Sequence, residues 1–285
     1  MAEIVVVDGG ASSCRLAAFS DSGQPLAKVS LDRHASLTMG VSDAWQHIEQ
    51  GLEAVREQLR AGESWQPAKL VMGLAGSLRQ ERREQFLNLL PKQVEQLLVT
   101  DGFAQLVGAS NGKPGICVAV GTGSVMHWLD EQGQSGMAGG WGFPVGDEGS
   151  GAWLGVRALQ QYLASIDGVP ATSRLIDELR LLIGSDVSAI QAWTTQTRAS
   201  ELAGLAPLVF NAAAAQDALA LQLIDEAVEK ILELVKRAPL HLPVYIVGGI
   251  GQKLHPMLSK KLKNRLCTAH HDALRGLWLL SAQAK

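Results

Sequence analysis

Four stretches of this 285-residue sequence carry residue types and spacings that could do chemistry. Asp8-Gly9-Gly10-Ala11-Ser12-Ser13 puts an acid, two glycines and two hydroxyls directly after an apolar run. Glycines let backbone N–H groups approach an anion, hydroxyls add donors, and an acid at a strand end can hold Mg²⁺ through water. A plain hairpin turn would use the same residues for geometry alone. Gly121-Thr122-Gly123-Ser124 repeats the pattern about one domain later, and two such turns could grip a polyphosphate. Thr100-Asp101-Gly102 places a carboxylate after a strand and before a helix. There it could accept the proton of an attacking hydroxyl or serve as an ordinary helix cap.

The fourth stretch is the glycine-rich run from Gly139 to Gly151, with Trp141 and the adjacent acids Asp147 and Glu148. A sugar offers hydroxyls to a carboxylate and an apolar face to an aromatic ring, so this mixture suits saccharide binding. Equally, Asp147 and Glu148 could favour the positive end of a following helix capped by Ser150, with Trp141 in the core. Gly108 to Pro114 is one residue short of a phosphate-binding P-loop and has proline where a hydroxyl must reach the metal. Gly248-Gly249-Ile250-Gly251 lacks the third glycine of a dinucleotide fingerprint and comes too late to open a cofactor domain. His270-His271-Asp272 reads as a solvated helix start, because neighbours in a row seldom converge on one metal.

Periodicity supplies the elements that must position these groups. Ile4 to Val7 is a buried strand, followed by strands over Arg15 to Phe19 and Pro25 to Leu31. Trp45, Ile48, Leu52, Val55 and Leu59 share one helical face. Strand character returns at Leu70 to Leu74 and Leu97 to Thr100, with a helix over Arg79 to Leu90 between them. Ile116 to Val120 and Val125 to Leu129 then repeat the opening pattern of strand, glycine and hydroxyl turn, strand. Mostly helical sequence follows, up to a late strand at Val244 to Val247 and a closing helix from Asp272 to Ala284.

Composition removes several classes of function. With 47% hydrophobic and 19% charged residues the chain can build a sizeable core, and its length suits two lobes. A net charge of −3 lacks the basic face of a nucleic-acid binder. Three widely separated cysteines, Cys14, Cys117 and Cys267, form neither a disulfide framework nor a close-spaced zinc set. The amino terminus has no basic leader and no apolar run long enough to span a membrane, so a cytoplasmic location is expected.

Taken together, the motifs resemble the BadF/BadG/BcrA/BcrD-type ATPase family, in its N-acetylglucosamine kinase and bacterial glucosamine kinase branch. The likeness is most specific over Gly139 to Gly151. It implies an α/β chain of two RNase H-like lobes of the actin/hexokinase type, each a mixed sheet flanked by helices, with an interlobe cleft. The lobes would cover residues 1–110, joined by a helix over 272–285, and residues 111–271. It further implies an ATP-dependent, Mg²⁺-requiring kinase of an amino sugar, and a homodimer. Asp8, Gly9, Gly10, Ala11, Ser12 and Ser13 would form one phosphate loop, with Asp8 positioning Mg²⁺, and Gly121, Thr122, Gly123 and Ser124 the other. Gly248, Gly249 and Gly251 would belong to the adenosine site, Asp101 would be the base, and Ser36, Asp101, Gly140, Trp141, Gly142 and Asp147 would meet the sugar. Ala11 and Ser12 stand where the family has glycine and threonine, and Ser36 where its kinases often have asparagine. Two other readings are an activating ATPase of the 2-hydroxyacyl-CoA dehydratase or benzoyl-CoA reductase type, which needs an iron–sulfur cluster, and a non-enzymatic sugar sensor.

Overall fold

The computed structural model describes residues 3–11, 13–170 and 172–283. The chain divides into two compact units, Met1–Gly115 with Thr268–Lys285, and Ile116–Cys267.

In the first unit, strands β1 (Ile4–Gly9), β2 (Cys14–Phe19) and β3 (Pro25–Leu31) form an antiparallel meander. Helix α1 (Val41–Leu59) leads to β4 (Lys69–Leu74), α2 (Gln80–Leu89) to β5 (Glu95–Val99), and α3 (Asp101–Ser110) ends this part of the chain. The sheet order is β3-β2-β1-β4-β5, with β1, β4 and β5 parallel. Alternation along β1 sends Val5 and Val7 to one face and Val6 to the other. Val5 and Val7 pack with Trp45, Ile48 and Val55 of α1. Val6 packs with Ala104 of α3 and with Ala273, Leu274 and Leu277 of the last helix of the chain.

The second unit contains β6 (Gly115–Val120), β7 (Ser124–Leu129), β8 (Ser135–Gly139), α4 (Gly151–Ile166), α5 (Arg174–Ile183), α6 (Val187–Gln196), α7 (Ala199–Ala203), α8 (Ala206–Ala214) and α9 (Ala218–Val235). It closes with β9 (Val244–Val247), α10 (Gly249–Leu262) and the two-residue β10 (Leu266–Cys267). Its order, β10-β9-β6-β7-β8, read from the β8 edge reproduces that of the first sheet strand for strand. β6, β9 and β10 are parallel, and β7 and β8 antiparallel. β8 gives no sequence signal because Ser-Gly-Met-Ala-Gly offers no β-branched residue.

Helix α11 (Ala273–Gln283) returns to the first unit and crosses α3 at close range. A Cβ on Gly276 would lie 2.1 Å from the Ala104 carbonyl, and one on Gly108 2.1 Å from that of Asp272. The changes of unit fall a few residues away from Ser110 and Asp272 for a hydrogen-bonding reason. Asn111 caps α3 in the left-handed region and Gly112 N–H donates to the Val107 carbonyl at 2.8 Å. Likewise His270 and His271 N–H donate to the Ala109 and Gly108 carbonyls at 3.0 and 3.2 Å. Residues 108–114 are thus the carboxyl end and exit of a helix, the wrong pole for a phosphate.

Candidate functional site

In the first unit the carboxylates sit where strands end. Asp8, on β1, lies directly opposite Arg15 on β2, and the Arg15 Nε donates to Asp8 Oδ2 at 3.0 Å. Arg15 Nη2 donates to the same oxygen. Burial pushes the Asp8 carboxyl above the usual range while Arg15 pulls it back. Gly9 is dictated by packing, since a Cβ there would fall 2.6 Å from Leu74 Cδ2 and 2.7 Å from Ala35 Cβ. Gly10 closes the turn by donating to the Ser13 carbonyl at 3.0 Å, and Ala11 is exposed. Ser12 lies outside the described residues.

Asp101 is the first residue of α3, and the cap is Thr100, whose hydroxyl accepts Phe103 N–H at 3.1 Å. Because Thr100 fills the capping role, the Asp101 carboxylate is not needed for it. That group receives the N–H of Gly102 and its own N–H, yet burial outweighs them and raises its pKa, with the charge of Asp8 adding to the rise. The result is a positioned carboxylate with raised basicity.

Ser36 does not present a free hydroxyl. It is 2% exposed, accepts Thr38 N–H at 3.2 Å and points at the Ala75 carbonyl at 3.5 Å. It cross-links the loops after β3 and β4.

In the second unit the glycine-rich run folds back over the turn between β6 and β7. Asp147, at φ 65°, accepts the N–H groups of Gly142 and Ser124, and burial raises its pKa. Its Oδ2 would lie 2.5 Å from a Cβ on Gly123, so that glycine makes room for the carboxylate. Ser124 is engaged within its own unit. Its hydroxyl donates to the Glu148 carbonyl at 2.8 Å, its N–H goes to Asp147, and its carbonyl takes Gly140 N–H at 2.9 Å. Ser124 therefore braces the Asp147 loop.

Thr122 is exposed, and a Cβ on Gly121 would meet nothing within 4 Å. Ser150 caps α4 by accepting Trp153 N–H at 3.3 Å. Trp141 is 81% exposed rather than part of the core, and Gly140 and Gly142 beside it take positive φ. After β9, Gly248 (φ 88°) passes so close to Val120 that a Cβ would meet its carbonyl at 2.3 Å. Gly251 is packed on Ile246, whereas Gly249, the first residue of α10, faces open space.

Sequence reading missed Arg15 and Asp272. Arg15 carries a detectable signal, because Asp8 and Arg15 stand symmetrically about the turn and so become direct cross-strand partners. Asp272 carries none, as only the return of the last helix brings it near. Among the described residues, no three His, Cys, Asp or Glu side chains form a metal-holding group. Burial pushes the thiols of Cys14 and Cys117 up to about 12, which disfavours the thiolates that a cluster would need. No single helix among the described residues is long and apolar enough to cross a membrane.

Two five-stranded mixed sheets of matching order, each flanked by helices, define the actin/hexokinase-like class of fold. The model of the BadF/BadG/BcrA/BcrD ATPase family matches residues 5–270, and the chain belongs to that family. It is similar to glucosamine kinase GspK of Vibrio cholerae serotype O1, at 26% identity over 283 residues, covering 98% of this chain and 95% of that protein. It is also similar to N-acetyl-D-glucosamine kinase of Dictyostelium discoideum, at 26% identity over 90% of this chain and 88% of that one. Among solved structures, a candidate N-acetylglucosamine kinase from Chromobacterium violaceum superimposes with a TM-score of 0.89 at 34% identity, covering 98% of this chain and 99% of that one.

Proposed function

We propose that this protein is an ATP-dependent amino-sugar kinase that transfers the γ-phosphoryl group to the 6-hydroxyl of N-acetylglucosamine or glucosamine. The observation that carries the reading is Asp101, a partly buried carboxylate with raised pKa, held by backbone N–H groups at a helix start. A chain related over nearly its whole length to two kinases of these sugars carries a carboxylate of the kind that such a transfer needs.

In the reaction, Asp101 accepts the proton of the sugar hydroxyl as its oxygen bonds to the γ-phosphorus. The bond from that phosphorus to the bridging oxygen breaks, and ADP leaves with the electron pair. Asp147 receives sugar hydroxyls, and the exposed indole of Trp141 covers the apolar face of the ring. Gly140 and Gly142 let the backbone approach it. In the first unit Gly10 and Ala11 serve phosphate, in the second Gly121, Thr122 and Gly123 do, and the open side of Gly249 accepts the nucleoside. Asp8 suits Mg²⁺, since one of its two oxygens has no protein hydrogen bond among the described residues. When bound, the metal supplies positive charge to the phosphate oxygens.

A coupled ADP-release assay with MgATP, across N-acetylglucosamine, glucosamine, N-acetylmuramic acid, mannosamine and glucose, tests this reading. Release that depends on N-acetylglucosamine or glucosamine is expected. Release independent of sugar would mark an activating ATPase, and no release with any sugar a sensor.

A further inference from the structure

Around Arg15 the first unit holds a small network of charges of which the kinase reading uses only Asp8. Its Nε and Nη2 both converge on Asp8 Oδ2. Its Nη1 lies 3.6 Å from Asp272 Oδ2, and Lys28 Nζ reaches the same Asp272 oxygen at 4.0 Å. Asp272 in turn accepts Arg275 N–H at 3.2 Å at the start of α11, so it is fixed independently of Arg15.

A guanidinium and a carboxylate that pair only for stability favour a parallel fork, one N–H to each oxygen. Here both donors go to one oxygen, and Asp8 Oδ1 has no hydrogen bond among the described residues. The Asp8 side chain keeps 16% of its surface accessible, and Oδ1 is not one of the buried unpartnered polar atoms among the described residues, so that oxygen is open to a group from outside the protein. The arrangement fixes the rotation of the carboxylate and offers one oxygen outward.

We propose that Arg15 is a positioning residue for metal-dependent nucleotide binding: it clamps Asp8 Oδ2 so that Oδ1 faces the water of a nucleotide-bound divalent cation, while Asp272 at the start of the last helix holds Arg15 from behind. The inference rests on the kinase reading and adds two residues to it. The effect runs through Asp8, so it concerns the metal and not the bare phosphates. Groups that orient a metal-linked carboxylate typically contribute 10- to 100-fold in affinity.

The test is calorimetric titration of ADP into the full-length protein with Mn²⁺ and with EDTA, for wild type, Arg15→Met, Arg15→Lys and Asp272→Asn. Circular dichroism establishes that each variant is folded. Arg15→Met should weaken binding of Mn·ADP by about tenfold or more and leave metal-free ADP binding within about twofold. Arg15→Lys should recover little, because an ammonium is a point charge that cannot fork onto one oxygen. Asp272→Asn should show a smaller loss in the same sense, and it decides the matter if Arg15→Met does not fold. Equal losses with and without metal would make Arg15 a direct phosphate ligand and overturn the proposal, as would unchanged Mn·ADP binding in Arg15→Met, or in Asp272→Asn if that variant alone folds. If wild type bound no ADP under either condition, the kinase reading itself would fail, and the inference with it.

Discussion

Asp101 is where one atom carries the greatest consequence. Asp101→Asn should lower turnover by about 10²- to 10⁴-fold while sugar affinity, read by titration calorimetry, stays near that of wild type. The same substitution has a stability signature with a definite sign. The folded-state pKa lies above the unfolded value, so the folded protein binds the Asp101 proton more tightly, and ionisation costs stability as pH rises through that interval. Asp101→Asn should therefore raise the melting temperature at pH 7, and the gain should vanish at a pH below the ordinary carboxylate value of 3.8. As the base must be unprotonated to act, the acidic limb of kcat/KM should lie above 3.8. A limb at or below that value in a pH–rate profile would remove Asp101 from the role.

At the scale of elements, the turn between β6 and β7 and the loop over Gly139 to Gly149 form one structural piece. Asp147 is oriented by N–H groups from both, and its carboxylate occupies the space a side chain on Gly123 would need. Gly123→Ala should displace Asp147 and raise KM for the sugar by about tenfold or more, the order expected when one charged hydrogen-bond partner of a ligand is lost. KM for ATP should change less; a reversed pattern in steady-state kinetics would place the turn with the nucleotide only. The crossing of α3 and α11 is equally tight. Gly276→Ala drives a methyl group into the Ala104 carbonyl and should cost about 1–3 kcal/mol of stability, seen in urea unfolding.

Across the whole molecule, the two units repeat one sheet order but do not share one stretch of chain. The first unit depends on α11, which buries Ala273, Leu274 and Leu277 against Val6, Ala17 and Val71. Burial of the two leucines alone contributes about 3–6 kcal/mol, a large part of the 5–15 kcal/mol that typically separates folded from unfolded protein. Removing residues 268–285 should abolish amide protection across β1, β4 and β5 in hydrogen exchange. The second unit keeps its own core of Val118, Leu154, Ile231 and Leu254 and should remain protected.

Much of this was written locally in the sequence. The apolar runs of β1, β4, β6 and β9, the helical face of α1 and the two glycine turns are short-range patterns, because alternation and helical periodicity act between neighbours. Asp101 and the Gly139 to Gly151 run were visible for the same reason. What only tertiary structure decided lies where distant segments meet. Ser36 and Ser124 look like free hydroxyls in sequence, but Thr38, Ala75, Glu148 and Asp147 consume their hydrogen bonds in the fold. Arg15 and Asp272 acquire their positions from a hairpin register and from a helix that returns to the first unit at the end of the chain. A residue's type fixes which bonds it can make, and its burial and neighbours fix which of them remain available for a ligand.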